Sequence, residues 1–256
     1  MKQIRLVLLT LVVSSLVSGP AFAQRPVTKP RRPPKDRGFL SLNTGAQAPP
    51  GSFNDSFTYT VNAEDATTEA RYKLKTRVLF DGSAGVHVWR KVAGVALALS
   101  RTSGSGRADT DSRIPHPFFD DRDREVAGEA GDLTRTETAV HLQLYYLKTS
   151  GKLRVVLTAG PSWFKVEQKM ITAVNVQEIY PYDTAAFRDV TTTRVEDAAV
   201  GGHAGLDVAW MLTRRLGAGV LVRYAQANIR LNAADDHRVS TDAGGFQTGA
   251  GIRIKF

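Results

Sequence analysis

The residues able to do chemistry in this 256-residue chain are ionisable side chains set one step off runs of alternating apolar residues. They are His87, His141 and His203, the carboxylates Asp81, Glu137 and Asp207, and the cations Arg154, Arg223, Arg253 and Lys255. Successive side chains leave a strand on opposite sides, so each of these would point away from the apolar face of its segment. Acid–base work, metal ligation and mutual ion pairing are the chemistries open to such a set. Metal ligation fits poorly: zinc sites draw on closely spaced histidines or cysteines, whereas these histidines lie on separate segments and the chain has no cysteine. Both signs of charge are present, so the set is expected to satisfy itself as a charge network, with no metal and no cofactor. His116 and His237 stand alone and are assigned nothing. Neither a glycine-rich phosphate loop nor a dinucleotide fingerprint is found.

The elements that must position these groups are strands. At the carboxyl end Phe246, Thr248, Ala250, Ile252, Ile254 and Phe256 alternate with Gly245, Gln247, Gly249, Gly251, Arg253 and Lys255. The same split recurs over 40–44, 78–88, 93–99, 138–146, 153–163, 200–212 and 216–224, which makes eight segments. Not one charged residue falls on the apolar faces. A soluble barrel or sandwich would also alternate, with its apolar face inward and long polar side chains outside. Here the opposite face is glycine and alanine with isolated charges, which suits a cramped interior. The pattern predicts an all-β fold: an eight-stranded antiparallel up-and-down transmembrane β-barrel with short periplasmic turns and long extracellular loops. A secreted soluble barrel that holds an apolar ligand is the alternative.

Aromatic spacing agrees with the membrane reading. A spanning strand needs about 9–11 residues, with aromatic girdles at both edges. Phe80, Trp163, Tyr224 and Phe246 form one expected belt, and Tyr146, Trp210 and Phe256 the other. Short turns are expected at 90–92, 148–152 and 213–215, and long links near 108–132 and 172–190. The stretches 47–62 and 67–77 read as extensions of the first two strands, turning around 63–66. Within the long links, Pro115, Phe118 and Phe119, and then Tyr180 and Tyr182, are candidate contacts for a partner or glycan. A lid folded over the barrel mouth is the other reading of the same residues.

The net charge of +9 sits mostly at the amino end. Residues 1–23, with Lys2 and Arg5 before an apolar run and Ala21-Phe22-Ala23 at its end, read as a signal peptide. Residues 24–37 hold six basic side chains among four prolines and read as a solvated linker. The remainder, 38–256, carries 26 basic and 24 acidic residues. A nucleic-acid partner is therefore not expected.

The signal peptide, the alternating strands and the ending Gly249-Ala250-Gly251-Ile252-Arg253-Ile254-Lys255-Phe256 resemble the small outer-membrane β-barrel proteins, the OmpA/OmpX-like group. The basic proline-rich tail is not part of that group's pattern. The resemblance implies that Phe256, with Ile254 and Ile252, serves as the signal read by the barrel-assembly machinery. It further implies residence in the cell outer membrane among lipid and lipopolysaccharide. A monomer with a structural, adhesive or surface-interaction role, no catalysis and an unidentified extracellular partner is the expected function. A narrow pore and a lipid-modifying barrel enzyme are the alternatives.

Overall fold

The structure is a computed structural model that describes residues 37–89, 92–232 and 238–256. The signal peptide 1–23, linker residues 24–36, the turn residues Arg90 and Lys91, and His237 lie outside the described residues. Ten strands run in chain order: β1 (Gly38–Ala48), β2 (Phe53–Val61), β3 (Glu64–Lys73), β4 (Arg77–Trp89), β5 (Ala93–Pro115), β6 (Asp123–Ser150), β7 (Leu153–Ile179), β8 (Thr184–Met211), β9 (Leu216–Asn232) and β10 (Arg238–Lys255). Eight of them close an antiparallel ring in the order β1, β4, β5, β6, β7, β8, β9, β10, with β10 returning to β1. Leu42 shows the closure, lying opposite Gly82 of β4 on one side and Ile252 of β10 on the other. Closure pairs the backbone groups that open sheet edges would leave bare.

The ring has two tiers of opposite polarity, and β9 passes through both. From the short turn up to the tier boundary Val220 and Tyr224 point outward and exposed, while Leu221 and Arg223 point inward and buried. Past Tyr224 the strand keeps its alternation, but Ala225, Ala227, Ile229 and Leu231 now fill the interior and Gln226, Asn228, Arg230 and Asn232 face out. The lower tier is thus inside out, as a barrel in hydrocarbon must be. Its outer wall includes Leu42, Leu97, Leu99, Leu142, Leu144 and Ile252, all exposed, which removes the soluble-barrel alternative for this tier. The upper tier has the polarity of a water-soluble barrel, its core holding Phe53, Tyr72, Leu133, Met170, Ile171, Ile229, Leu231 and Val239. The rings of Phe53 and Tyr72 stack there, centroids 4.6 Å apart.

The upper tier is where the structure departs from expectation. The links near 108–132 and 172–190 are largely strand: β5 runs to Pro115 and β7 to Ile179, leaving tips at 116–122 and 180–183. Alternation with the opposite sense explains this, since Ala108, Thr110, Ser112 and Ile114 are buried while Asp111 and Arg113 are exposed. The stretch 47–77 does rise as two strands turning at Asn62 and Ala63, but β3 pairs with β5, from Thr67 opposite Arg113 to Lys73 opposite Arg107. Among the described residues β2 pairs with β3 only. Pro49 and Pro50, which lack the amide donors a ladder needs, separate β1 from β2. The β1–β10 ladder accordingly ends at Ala48 opposite Phe246. Gly245 sits at that break with φ 117°, and a Cβ on it would stand 2.1 Å from the Ala48 carbonyl oxygen.

Both aromatic belts face outward: Phe80, Trp163, Tyr224 and Phe246 at the tier boundary, and Tyr146, Trp210 and Phe256 at the short-turn end. Trp89 corrects the strict alternation. A register shift between His87 and Trp89 turns its side chain out to join the lower belt, because an extra residue in one strand reverses the facing of the residues beyond it.

Candidate functional site

The lumen of the lower tier is built from the small-residue faces of the strands, and the charges that interrupt those faces meet at its centre. Arg223 of β9 donates through Nη2 to Asp81 Oδ2 of β4 at 2.7 Å and through Nε to Gln247 Oε1 of β10 at 2.6 Å. Gln247 Nε2 donates to Gln47 Oε1 of β1 at 2.6 Å, and Gln47 Nε2 donates to Glu137 Oε2 of β6 at 2.7 Å. Glu137 also accepts from Arg135 Nε at 2.7 Å and from the Gly244 amide at 3.1 Å, and it pairs with Arg77 Nη1 at 2.8 Å. Asn43 Nδ2 donates to Asp81 at 3.0 Å. This polar chain crosses the interior just below and at the tier boundary. Closer to the short turns Arg253 Nε donates to Asp207 Oδ2 at 2.9 Å.

A second chain joins the histidines. Ser100 Oγ and His141 Nε2 are 2.9 Å apart, His141 Nδ1 and Ser162 Oγ 2.7 Å, and Ser162 Oγ and His203 Nδ1 2.8 Å. Ser162 has one hydroxyl proton, so it donates to one imidazole and accepts from the other. Strand tilt brings the rings of His141 and His203 to 5.0 Å, although no sequence spacing links them. His87 stands apart, half-buried, with Nδ1 2.8 Å from the Tyr145 hydroxyl. Among the described residues no group of three or more His, Asp or Glu could hold a metal ion.

The short-turn end is closed by apolar packing of Phe39, Ala96, Tyr145, Leu147 and Val156, with the Arg154 guanidinium 4.6 Å above the Phe39 ring. Between these layers lies a void of about 20 Å³ lined by Asp81, Arg154, Asp207 and Arg223 among others, about the room one water needs. Of the predicted lumen residues, Asp81, Glu137, His141, Arg154, His203, Arg223 and Arg253 are buried inside, whereas Asp207, His87 and Lys255 are partly exposed. The sequence reading missed Gln47, Gln247, Ser100, Ser162, Arg77 and Arg135. The first four sit on the polar faces and carried no charge to mark them. The two arginines lie just beyond strand boundaries drawn too short.

At the far end of the upper tier, the tower, two hairpin tips lock together. Arg124, buried, donates through Nη2 to Glu178 Oε1 at 3.0 Å and to the Pro115 carbonyl at 2.9 Å, and through Nη1 to the Tyr182 carbonyl at 3.2 Å. Arg122 pairs with Asp183 at 2.8 Å. The rings of Phe118 and Tyr182 meet edge to face at 5.1 Å. Phe118, Phe119 and Tyr180 remain exposed, at 68%, 57% and 84% of their surface. Pro115, expected as a contact, ends β5 and is buried, and Tyr182 is half-buried between the tips. His116 is buried too, its Nδ1 accepting the Phe118 amide at 3.1 Å. Burial of Tyr72, deeper in the tower, pushes its phenol well above the ordinary range. The Ile171 amide, which donates to its oxygen at 2.8 Å, only partly offsets this.

No family model matches the chain, and no curated protein matches it in sequence. Solved structures resemble it in shape. The outer membrane protein OprG from Pseudomonas aeruginosa aligns with 86% of this chain and 97% of its own, at 11% identity and a TM-score of 0.46. Neisserial surface protein A aligns over the same shares at 11% identity and 0.41. The outer membrane protease OmpT from Escherichia coli aligns with 87% of this chain and 98% of its own, at 9% identity and 0.49.

Proposed function

We propose that this chain is a monomeric outer-membrane barrel whose lower tier anchors it in lipid and lipopolysaccharide and whose tower holds an aromatic tip out for adhesive contact, without catalysis. The observation that carries the reading is the reversal of polarity at the aromatic belt. An apolar outer wall with a polar, filled interior suits hydrocarbon, and an apolar core with a charged exterior suits water above it. Phe256, Ile254 and Ile252 lie on that outer wall and are assigned to recognition by the barrel-assembly machinery. A void of about 20 Å³ gives no support to a conducting lumen.

Two measurements test this. In a diderm bacterium the chain should fractionate with the outer membrane, partition into detergent and migrate faster on gels before heating than after. Cells displaying it should adhere to glycan-coated surfaces, and the variant F118S/F119S/Y180S should return adhesion to the level of non-displaying cells at equal surface display. Unchanged adhesion in that variant would remove the tip from the function.

A further inference from the structure

Among the described residues the charged side chains are segregated along the barrel axis, and those at the short-turn end are basic. Among the described residues Arg37, Lys148, Lys152, Arg214 and Arg215 are exposed there and Lys255 is partly so. No Asp or Glu among them lies nearer that end than Asp207, which the lumen already engages through Arg253. At the opposite edge of the apolar wall the cations are interleaved with carboxylates, Lys165 pairing with Glu196 at 2.9 Å.

The basic groups also sit at a particular depth. Lys148 comes two positions after the belt residue Tyr146 on the same outward face, and Lys152 adjoins Leu153 of the apolar wall. Arg214 and Arg215 lie between the exposed Leu212 and Leu216. Two strand residues rise about 7 Å, so these cations stand one headgroup layer beyond the hydrocarbon edge. Lys and Arg in that position extend toward lipid phosphates while their stems lie on the apolar wall.

We propose that this rim binds anionic phospholipid headgroups in the leaflet facing the short turns, so that the barrel gathers acidic lipid around its base. The inference rests on the membrane reading above, and its test separates the two. The purified chain is placed in lipid nanodiscs of one part phosphatidylglycerol to three parts phosphatidylcholine, and the boundary layer is read with spin-labelled forms of each lipid. A basic residue near an anionic surface contributes about fivefold, so phosphatidylglycerol should be enriched by at least that factor. The variant K148Q/K152Q/R214Q/R215Q, which keeps Arg37 and Lys255 of the rim, should lower that enrichment toward parity, with heat-modifiable migration unchanged. Equal occupancy in the parent chain, or enrichment undiminished in the variant, overturns the proposal. So does binding of the parent to isolated cell-wall sacculi, lost in the variant, without any lipid preference. Failure of the chain to enter discs at all overturns the membrane reading itself.

Discussion

Gln47 and Glu137 meet across the barrel, Nε2 to Oε2 at 2.7 Å, although their strands β1 and β6 are separated in the ring by β4 and β5. The same amide nitrogen reaches the Gly244 carbonyl at 2.6 Å, and Gly244 returns its own amide to Glu137. One carboxylate therefore ties together β1, β4, β6 and β10 and balances two buried guanidinium groups, those of Arg77 and Arg135.

Removing that charge alone is expected to cost more than the pair itself contributes, because an unpaired cation stays in a dry interior. Glu137→Gln should lower stability by about 3–5 kcal/mol, read as the urea midpoint of the gel-mobility transition in lipid vesicles. A shift below about 1 kcal/mol would mean that water reaches these groups.

The filled lumen predicts electrical silence. The parent chain in a planar bilayer should show no stable single-channel steps. The variant F39A/R154A/R223A, which opens both the apolar closure and the cross-lumen chain, should show them, provided its gel mobility still reports a folded barrel. Steps in the parent would put the pore alternative ahead of the adhesive reading.

Polarity reversal can be tested within β9 alone. Val220→Arg should cost about 2–4 kcal/mol, as a charge placed against lipid, whereas Gln226→Arg, two positions past Tyr224, should stay within about 0.5 kcal/mol. Ile229→Ala should cost about 2–5 kcal/mol from loss of tower packing. Vesicle unfolding measurements distinguish these outcomes, and equal sensitivity at Val220 and Gln226 would place the lipid boundary elsewhere.

Tyr72 makes the tower sensitive to alkali. Its phenol is held above its ordinary value by burial, so its contribution is complete below about pH 10, the pKa of an exposed tyrosine. Above that pH the unfolded chain loses this proton while the folded chain keeps it, and stability falls, by about 1.4 kcal/mol for each further unit. Tyr72→Phe should remove this increment from the alkaline limb while weakening the tower at neutral pH, since Ile171 loses its acceptor. Phenolate absorbance should show one tyrosine that ionises only on unfolding.

The eight strands of the lower tier were legible because each repeats every two residues and a membrane demands uniform chemistry on its outer side, so Phe246 to Phe256 or Leu216 to Tyr224 declares itself without a neighbour. The tower was less legible for a local reason. Ala225, Ala227, Ile229 and Leu231 alternate as regularly with Gln226, Asn228, Arg230 and Asn232, but in the opposite sense, and a search for one apolar face stops where that face changes sides.

Alone, then, the order of residues determined the strands, the direction their greasy faces take near the short turns, and which charges point inward, since all three depend on steps of one or two residues along the chain. Only the closed and tilted ring decided which of those inward groups touch. Ser162 meets both His141 and His203, and Gln47 reaches Glu137, because closure brings together side chains from 21 to 90 positions apart. The shift of β3 onto β5 was likewise settled in three dimensions, where the prolines after β1 broke one ladder and the rising edge of β5 offered another.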